Sequence, residues 1–101
     1  MIKITQGESY PIFFNIKQDG MSLTPDMILD LEIHIGETFK KSRLGNGVFY
    51  DQTTGRWYIF PTAAETKAWE DGSHVVCAHF TYHNGETYIK DAGRIMVSSC
   101  G

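Results

Sequence analysis

The four histidines are the residues whose chemistry most readily suggests a functional site, because imidazole is the commonest metal ligand in proteins. His79 and His83 are four residues apart, with Thr81 between them. On a helix that spacing pairs two ligands, but on a strand it puts the two rings on one face about 13 Å apart. His34 would come near them only if its own strand were their neighbour. We therefore expect solvent-facing histidines and no metal site.

Nucleophilic and acid–base catalysis need reactive side chains that a particular turn or cleft holds in place, and the sequence shows no such arrangement. None of the six serines lies in a Gly-x-Ser-x-Gly elbow, the turn that exposes a nucleophile beside an oxyanion hole. Asp30 and Glu32 share a strand face about 7 Å apart, as paired glycosidase carboxylates do, but alternating acids on a solvent face give the same pattern. Gly45-Asn46-Gly47 leads into a strand and not into a phosphate-binding helix. We expect no catalytic residues, no cofactor and no enzyme activity.

Length and charge limit the partners of this chain. Its 101 residues suffice for one hydrophobic core, so we predict a single domain over residues 1–101. Nucleic-acid binding needs a clustered basic face, whereas the net charge is −3 and the only dense basic group is Lys40, Lys41 and Arg43. We see no signal peptide and no apolar run of roughly 20 residues. The sequence therefore predicts a soluble product made in a cytoplasm, with no nucleic-acid partner and no membrane insertion.

Short apolar runs separated by glycine-containing turns predict strands over most of the chain. In the run over 28–35, Leu29, Leu31, Ile33 and Ile35 alternate with polar residues, which predicts a half-buried antiparallel strand. The run over 10–17 also alternates, except that Phe13 points away from its apolar neighbours. The residues over 57–60 are apolar on both faces, so one face should meet the core while the other needs a partner.

Turn and cap signals complete the predicted secondary structure. Thr62 and Glu65 form a capping-box pattern that predicts a short helix over 63–69. Asn84-Gly85 predicts a two-residue hairpin turn, in which Phe80 would lie opposite Ile89 and share the core face with it. Together these patterns predict an all-β fold: an antiparallel immunoglobulin-like β-sandwich of about seven to eight strands with one short helix.

The two cysteines, Cys77 and Cys100, are predicted to be free thiols. In the predicted hairpin Cys77 lies opposite about residue 92, so Cys100 would be roughly 26 Å further along the strand. A disulfide needs Cα atoms within about 7 Å, which excludes this pair unless the C-terminus folds back.

The aromatic residues exceed what one face of a small core requires, and exposed aromatic rings anchor protein interfaces or bind sugars. The alternative is that the excess rings cover the second sheet or pack under the short helix. The residues predicted to contact a partner are Phe13, Trp57, Tyr58, Phe60 and Tyr88. A carbohydrate-binding surface that includes Trp57, Trp69 or Tyr88 is the alternative function.

The order of these motifs resembles a known family. The chain opens with Ile4-Thr5-Gln6-Gly7-Glu8-Ser9-Tyr10 and continues through the alternating strand over 28–35, Arg56-Trp57-Tyr58-Ile59-Phe60, the helix start at Thr62 and the Asn84-Gly85 hairpin. This arrangement resembles the immunoglobulin-like N-terminal domain of baseplate upper proteins in phages of Gram-positive bacteria, and related small prophage structural proteins. Such baseplate proteins usually continue into a stalk or receptor-binding region, whereas this sequence stops at Gly101.

The resemblance implies a non-enzymatic structural role in a phage or prophage tail. It also implies that the protein resides in the virion, or in the bacterial cytoplasm before assembly. The implied partners are other tail or baseplate proteins and further copies of the same chain, because the role requires packing around a tail. The family has no catalytic residues to transfer to this sequence.

Overall fold

The computed structural model describes residues 2–99, which form a mostly β fold with one short helix. The elements within that range are β1 (Ile2–Thr5), β2 (Ile12–Phe14), β3 (Lys17–Gln18), β4 (Met21–Ser22), β5 (Ile28–Ile35), β6 (Phe39–Ser42), β7 (Val48–Asp51), β8 (Arg56–Ile59), α1 (Ala63–Lys67), β9 (Gly72–Tyr82) and β10 (Thr87–Ser98). The predicted all-β class is confirmed. The strands over 2–99 outnumber the predicted seven to eight because the run over 10–17 divides into β2 and β3, and β4 was not anticipated.

Two main sheets carry the fold. The larger has the strand order β1-β10-β9-β5-β6 and the smaller the order β2-β8-β7, while β3 and β4 form a separate hairpin. Every pairing among these strands is antiparallel except that of β1 with β10, where Ile4 lies beside Val97 in a parallel register. The prediction of a purely antiparallel fold was therefore wrong. No turn joins β1 to β10, so no local signal could fix their relative direction.

The apolar faces of the two sheets form one hydrophobic core, as the alternating patterns require. The larger sheet contributes Ile4, Ile28, Leu31, Ile33, Ile35, Val76, Ala78, Phe80, Ile95 and Val97, and the smaller sheet contributes Ile12, Phe14, Val48, Trp57 and Ile59. Trp57 is 1% exposed, and its indole N–H donates to the carbonyl of Leu23 over 2.9 Å. The polar atom of this large core residue is therefore satisfied inside the core.

The predicted inward direction of Leu29, at the start of β5, was wrong because the strand contains a β-bulge there. The register with β9 shifts between Ile28 and Asp30, so Ile28 is buried and Leu29 is 48% exposed. A bulge adds one residue to a strand and reverses the alternation beyond it. Leu31, Ile33 and Ile35 face the core as predicted, but Leu29 does not.

The β9–β10 hairpin also differs from the prediction. Gly85 N–H donates to Tyr82 C=O and Tyr82 N–H donates to Glu86 C=O, so His83, Asn84 and Gly85 form a three-residue loop. Only Gly85 of these residues has a positive φ, of 92°, whereas a two-residue type I′ turn needs two. The register moves by one residue and pairs Phe80 with Tyr88. Ile89 therefore faces outward and is 63% exposed, and the predicted Phe80–Ile89 core pair does not form.

The predicted capping box is confirmed at the start of α1. Glu65 N–H donates to the Thr62 hydroxyl and Thr62 N–H donates to the Glu65 carboxylate. The helix ends at Lys67, two residues before the predicted end. Thr66 is fully buried, and its hydroxyl donates to Glu8 C=O over 2.7 Å and accepts from Gly7 N–H over 3.0 Å. These bonds hold the helix against the loop that follows β1.

Within residues 2–99, no helix has the length and apolar character needed to cross a membrane.

Candidate functional site

The five predicted interface residues do not lie together. Trp57 faces the core, and Tyr88 packs against Phe80 and Tyr82 in the β9–β10 hairpin, with ring centroids 5.8 and 5.5 Å away. Phe13, Tyr58 and Phe60, in contrast, share the outer side of the three-stranded sheet. Two of the five are thus accounted for by internal packing, and three remain as a common surface.

Phe49 joins Phe13, Tyr58 and Phe60 on this surface, which we call the aromatic face. The registers of β2 with β8 and of β7 with β8 place Phe13 and Phe49 on either side of Tyr58. The ring centroids are 5.1 Å apart for Phe13 and Tyr58 and 5.4 Å apart for Phe49 and Tyr58. Because such distances allow direct ring contact, the three side chains form a row across the whole width of the small sheet.

Arg56 adds a charged group to the aromatic face. Its guanidinium carbon lies 4.4 Å from the centre of the Phe13 ring, within the range of a cation–π contact. Asp51 lies directly opposite Arg56 in the register of β7 with β8. An acid and a base therefore flank the apolar row, two residues along β7 and β8 from Phe49 and Tyr58.

The outer ends of the aromatic face remain accessible. Phe60 is 53% exposed and Phe49 is 39% exposed. Phe13, Tyr58 and Phe60, with Pro11 and Tyr50, border a shallow groove of about 400 Å³. The face therefore combines large apolar groups with a concave surface that a partner can enter.

Sequence reasoning missed Phe49 and Arg56. The outward direction of Phe49 follows from the burial of Val48 beside it, since side chains alternate along a strand. What the sequence did not reveal was that β7 and β2 flank β8 on opposite sides, which is the arrangement that brings their outward aromatic residues into one row.

A second depression lies between α1 and the turn from β5 to β6. It has a volume of about 460 Å³ and is bordered by Glu37, Trp69, Glu70 and His74. The indole nitrogen of Trp69 is buried and has no hydrogen-bond partner within residues 2–99. His74 Nε2 is occupied at 2.6 Å from the carbonyl oxygen of Glu70. The cleft is therefore bordered by two carboxylates and lies beside an indole whose unpaired N–H is itself buried.

The third cluster consists of Glu32, His34 and His79 on the outer face of the five-stranded sheet. The strand β5 is a direct neighbour of β9, with Glu32 opposite His79. His34 and His79 stack with their ring centres 3.8 Å apart and their planes 17° from parallel. His34 Nε2 donates to the Glu32 carboxylate over 2.9 Å. The condition stated for His34 is therefore met, because its strand is the direct neighbour of the strand that carries His79, and the two rings are in contact.

The cluster affects the ionisation of its members. The hydrogen bond from His34 lowers the pKa of the Glu32 carboxyl, and the nearby Lys40 lowers it further. Burial lowers the pKa of His79, and the charge of His34 acts in the same direction. Both shifts keep Glu32 ionised and His79 neutral near pH 7. His83 takes no part in the cluster, because its Nε2 lies 3.2 Å from the carbonyl oxygen of Asp26.

The remaining candidate groups have structural contacts. Asp30 accepts the N–H groups of Leu31 and Leu44 over 2.8 and 3.2 Å, so this carboxylate stabilises the bulge and the loop after β6. Cys77 is half-buried opposite Asp91 in the register of β9 with β10, close to the predicted partner at about residue 92. Cys100 lies outside the described residues, and the prediction of two free thiols stays a prediction.

No family model, curated protein or solved structure matches this chain.

Proposed function

We propose that this protein is a non-enzymatic structural module of a phage or prophage tail, built as an immunoglobulin-like β-sandwich and acting through contacts with other proteins. The observation that carries the proposal is the aromatic face: Phe13, Phe49, Tyr58 and Phe60 lie together on the outer side of a sheet whose inner side already meets the core. Such a surface is costly to leave in water and is suited to a protein partner.

The composition of the aromatic face favours a protein partner. Aromatic residues and arginine are enriched at the energetic centres of protein interfaces, and Arg56 stacks on Phe13 at 4.4 Å. Ring-to-ring contacts along the row hold the side chains in place before binding, which reduces the conformational entropy lost on association. The face therefore has the chemistry and the preorganisation of a binding surface.

The tail assignment combines this surface with the sequence resemblance. Two sheets sharing one core support an immunoglobulin-like sandwich. The motifs that carry the resemblance include Arg56, Tyr58 and Phe60, which belong to the aromatic face or adjoin it. The proposed partners are further copies of the chain and neighbouring tail or baseplate proteins.

Size-exclusion chromatography with light scattering tests this proposal, with the protein alone and mixed with the products of the neighbouring genes and with phage tail proteins. We expect wild type to form a homo-oligomer or a defined complex. The double variant Phe49→Ser/Phe60→Ser should run as a monomer in both cases. Ile89→Ser is the matched control because Ile89 is equally apolar but lies on the other sheet at 63% exposure. A wild type that stays monomeric and binds none of the tail proteins would contradict the proposal.

Carbohydrate binding is the second candidate, and the Trp69 cleft is the observation that favours it. The carboxylates of Glu37 and Glu70 border the cleft and can hydrogen-bond sugar hydroxyls, whereas the unpaired indole N–H of Trp69 is buried and would have to become exposed to do so. Trp69 is only 8% exposed, however, and its ring packs edge-on against Phe39 at 4.9 Å, so little of it is free to stack on a sugar. A glycan array with wild type and Trp69→Phe decides: signal lost on removal of the indole N–H supports this function, and no signal for wild type excludes it.

A further inference from the structure

We propose that Glu32, His34 and His79 form a binding site for a divalent transition-metal ion of the zinc type on the outer face of the five-stranded sheet. The proposal is independent of the aromatic face, which lies on the other sheet. One potential ligand atom from each of the three residues lies within 4.8 Å of the other two. Within residues 2–99, this is the one group of three or more histidine, cysteine, aspartate or glutamate side chains whose potential ligand atoms lie this close together.

Strand pairing is what assembles the cluster. Glu32 and His34 are two residues apart on β5 and therefore point to the same face. The antiparallel register puts His79 of β9 directly opposite Glu32, and side chains opposite one another have Cβ atoms about 5 Å apart. Because both strands lie inside the sheet, with β6 and β10 on either side, the backbone that carries the three ligands is held in place.

The distances require only small side-chain movements. Zinc bonds of 2.0–2.1 Å in a tetrahedral site hold two ligand atoms about 3.3 Å apart. His34 Nε2 and Glu32 Oε1 are already 2.9 Å apart, and the three-residue span of 4.8 Å must shrink by about 1.5 Å. When the ion binds, it replaces the hydrogen bond between these two atoms, and the neutral His34 ring carries its proton on Nδ1 so that Nε2 is free to bind. The two imidazole rings must also turn out of their parallel stack, since a metal lies in the plane of each ring that binds it. His34 and Glu32 side chains are 28% and 33% exposed, which leaves room for that rotation.

The ligand types select the metal. Two imidazoles and one carboxylate suit zinc and its neighbours among the first-row ions, whereas calcium and magnesium prefer sites made of oxygen atoms alone. Three protein ligands leave a fourth position for water or for a group from another molecule.

The charged groups around the cluster set its strength. Lys40 lies opposite His34 on β6, and its positive charge opposes a cation. On the other side, Cys77 of β9 is opposite His34 and Asp91 of β10 is opposite Cys77, so of these two groups the Asp91 carboxylate is the one that can offset the charge of Lys40. We expect an affinity in the micromolar range, weaker than that of buried structural zinc sites.

Isothermal titration of untagged, chelator-treated protein with ZnCl₂ at pH 7.5 tests the site. We expect binding of one ion per chain in wild type. His34→Gln and His79→Gln should each weaken binding roughly tenfold or more, and Lys40→Ala should strengthen it. His83→Gln is the matched control and should bind within twofold of wild type, because His83 lies outside the cluster. Thermal melts in chelator verify that every variant folds.

An NMR measurement on the wild-type protein locates the ion without the use of variants. Paramagnetic CoCl₂ should broaden amide signals around residues 32, 34 and 79 first, before those of the loop that carries His83. Absence of zinc binding at millimolar concentration, equal weakening by His83→Gln, or broadening centred away from β5 and β9 would each overturn the proposal.

Discussion

The two sheets turn opposite kinds of surface to the solvent. On the small sheet the outward side chains include Phe13, Phe49 and Tyr58, whose rings contact one another and, through Phe13, Arg56. On the large sheet the outward side chains include polar residues at the centre, where Glu32, His34 and His79 contact one another, and separate exposed apolar residues such as Leu29 and Ile89. The two inner faces are alike and form one core. The two sheets therefore share an interior and differ at their outward positions, where both proposed sites lie.

This contrast explains why the two surfaces suit different ligands. Apolar rings gain free energy when a partner removes them from water, so the aromatic face favours a macromolecule. Imidazoles and a carboxylate gain little from burial but bind a cation directly. Each surface can be altered without the other, because the core lies between them.

The largest expected effect is a difference in stability between substitutions on the inner and outer faces of β8. Trp57→Ala should destabilise the fold by about 3–5 kcal/mol, because it leaves a cavity in the core and removes the hydrogen bond to Leu23 C=O. Tyr58→Ala, one residue further on the outer side, should cost about 1 kcal/mol or less while weakening partner binding. Urea denaturation measures both. Equal losses of stability would mean that Tyr58 belongs to the core and that the aromatic face is not a free surface.

A smaller effect concerns Arg56 on the aromatic face. Arg56→Ala removes the cation–π contact with Phe13 and should cost about 0.5–1 kcal/mol, measured by the same denaturation. Arg56→Lys is the control, since it keeps the charge but not the planar group. If Arg56→Ala leaves both stability and partner binding unchanged, the charge of Arg56 beside the aromatic row has no role.

The smallest effect concerns pH and the outer face of the large sheet. Because the pKa of His79 is lowered in the folded state, the unfolded chain binds protons more readily, and stability falls as the pH drops below about 6.5. Thermal melts between pH 8 and pH 5 in chelator should show this loss in wild type and less of it in His79→Gln. His83→Gln should behave as wild type. An identical pH dependence in wild type and His79→Gln would contradict the role of the cluster.

Local sequence patterns predicted the strands and the helix well, because secondary structure depends mainly on residues that are close together in the sequence. The alternation over 31–35, the capping box at Thr62 and the outward direction of Phe13 are all confirmed. Two similar turn signals show the limit of such patterns. Asp19-Gly20 has positive φ at both residues and closes the tight β3–β4 hairpin, whereas Asn84-Gly85 belongs to a three-residue loop. The difference of one residue was enough to move Ile89 from the core to the surface.

The sites depended on contacts that no local pattern contains. The histidine cluster exists because β5 lies beside β9, although His34 and His79 are 45 positions apart in the sequence. The aromatic face exists because β2 and β7 both pair with β8. The sequence predicted Phe13, Tyr58 and Phe60 as contact residues, but it also included Trp57 and Tyr88, because type and apolarity alone do not distinguish a core ring from a surface ring.

The most direct test of the central claim is a series of amide NMR spectra, recorded while the protein is concentrated or titrated with a tail-protein partner. If the aromatic face is the contact surface, signals from β2, β7 and β8 shift together, while those around His34 and His79 stay in place. Shifts confined to the large sheet, or no shift at any concentration or with any tail partner, would contradict it.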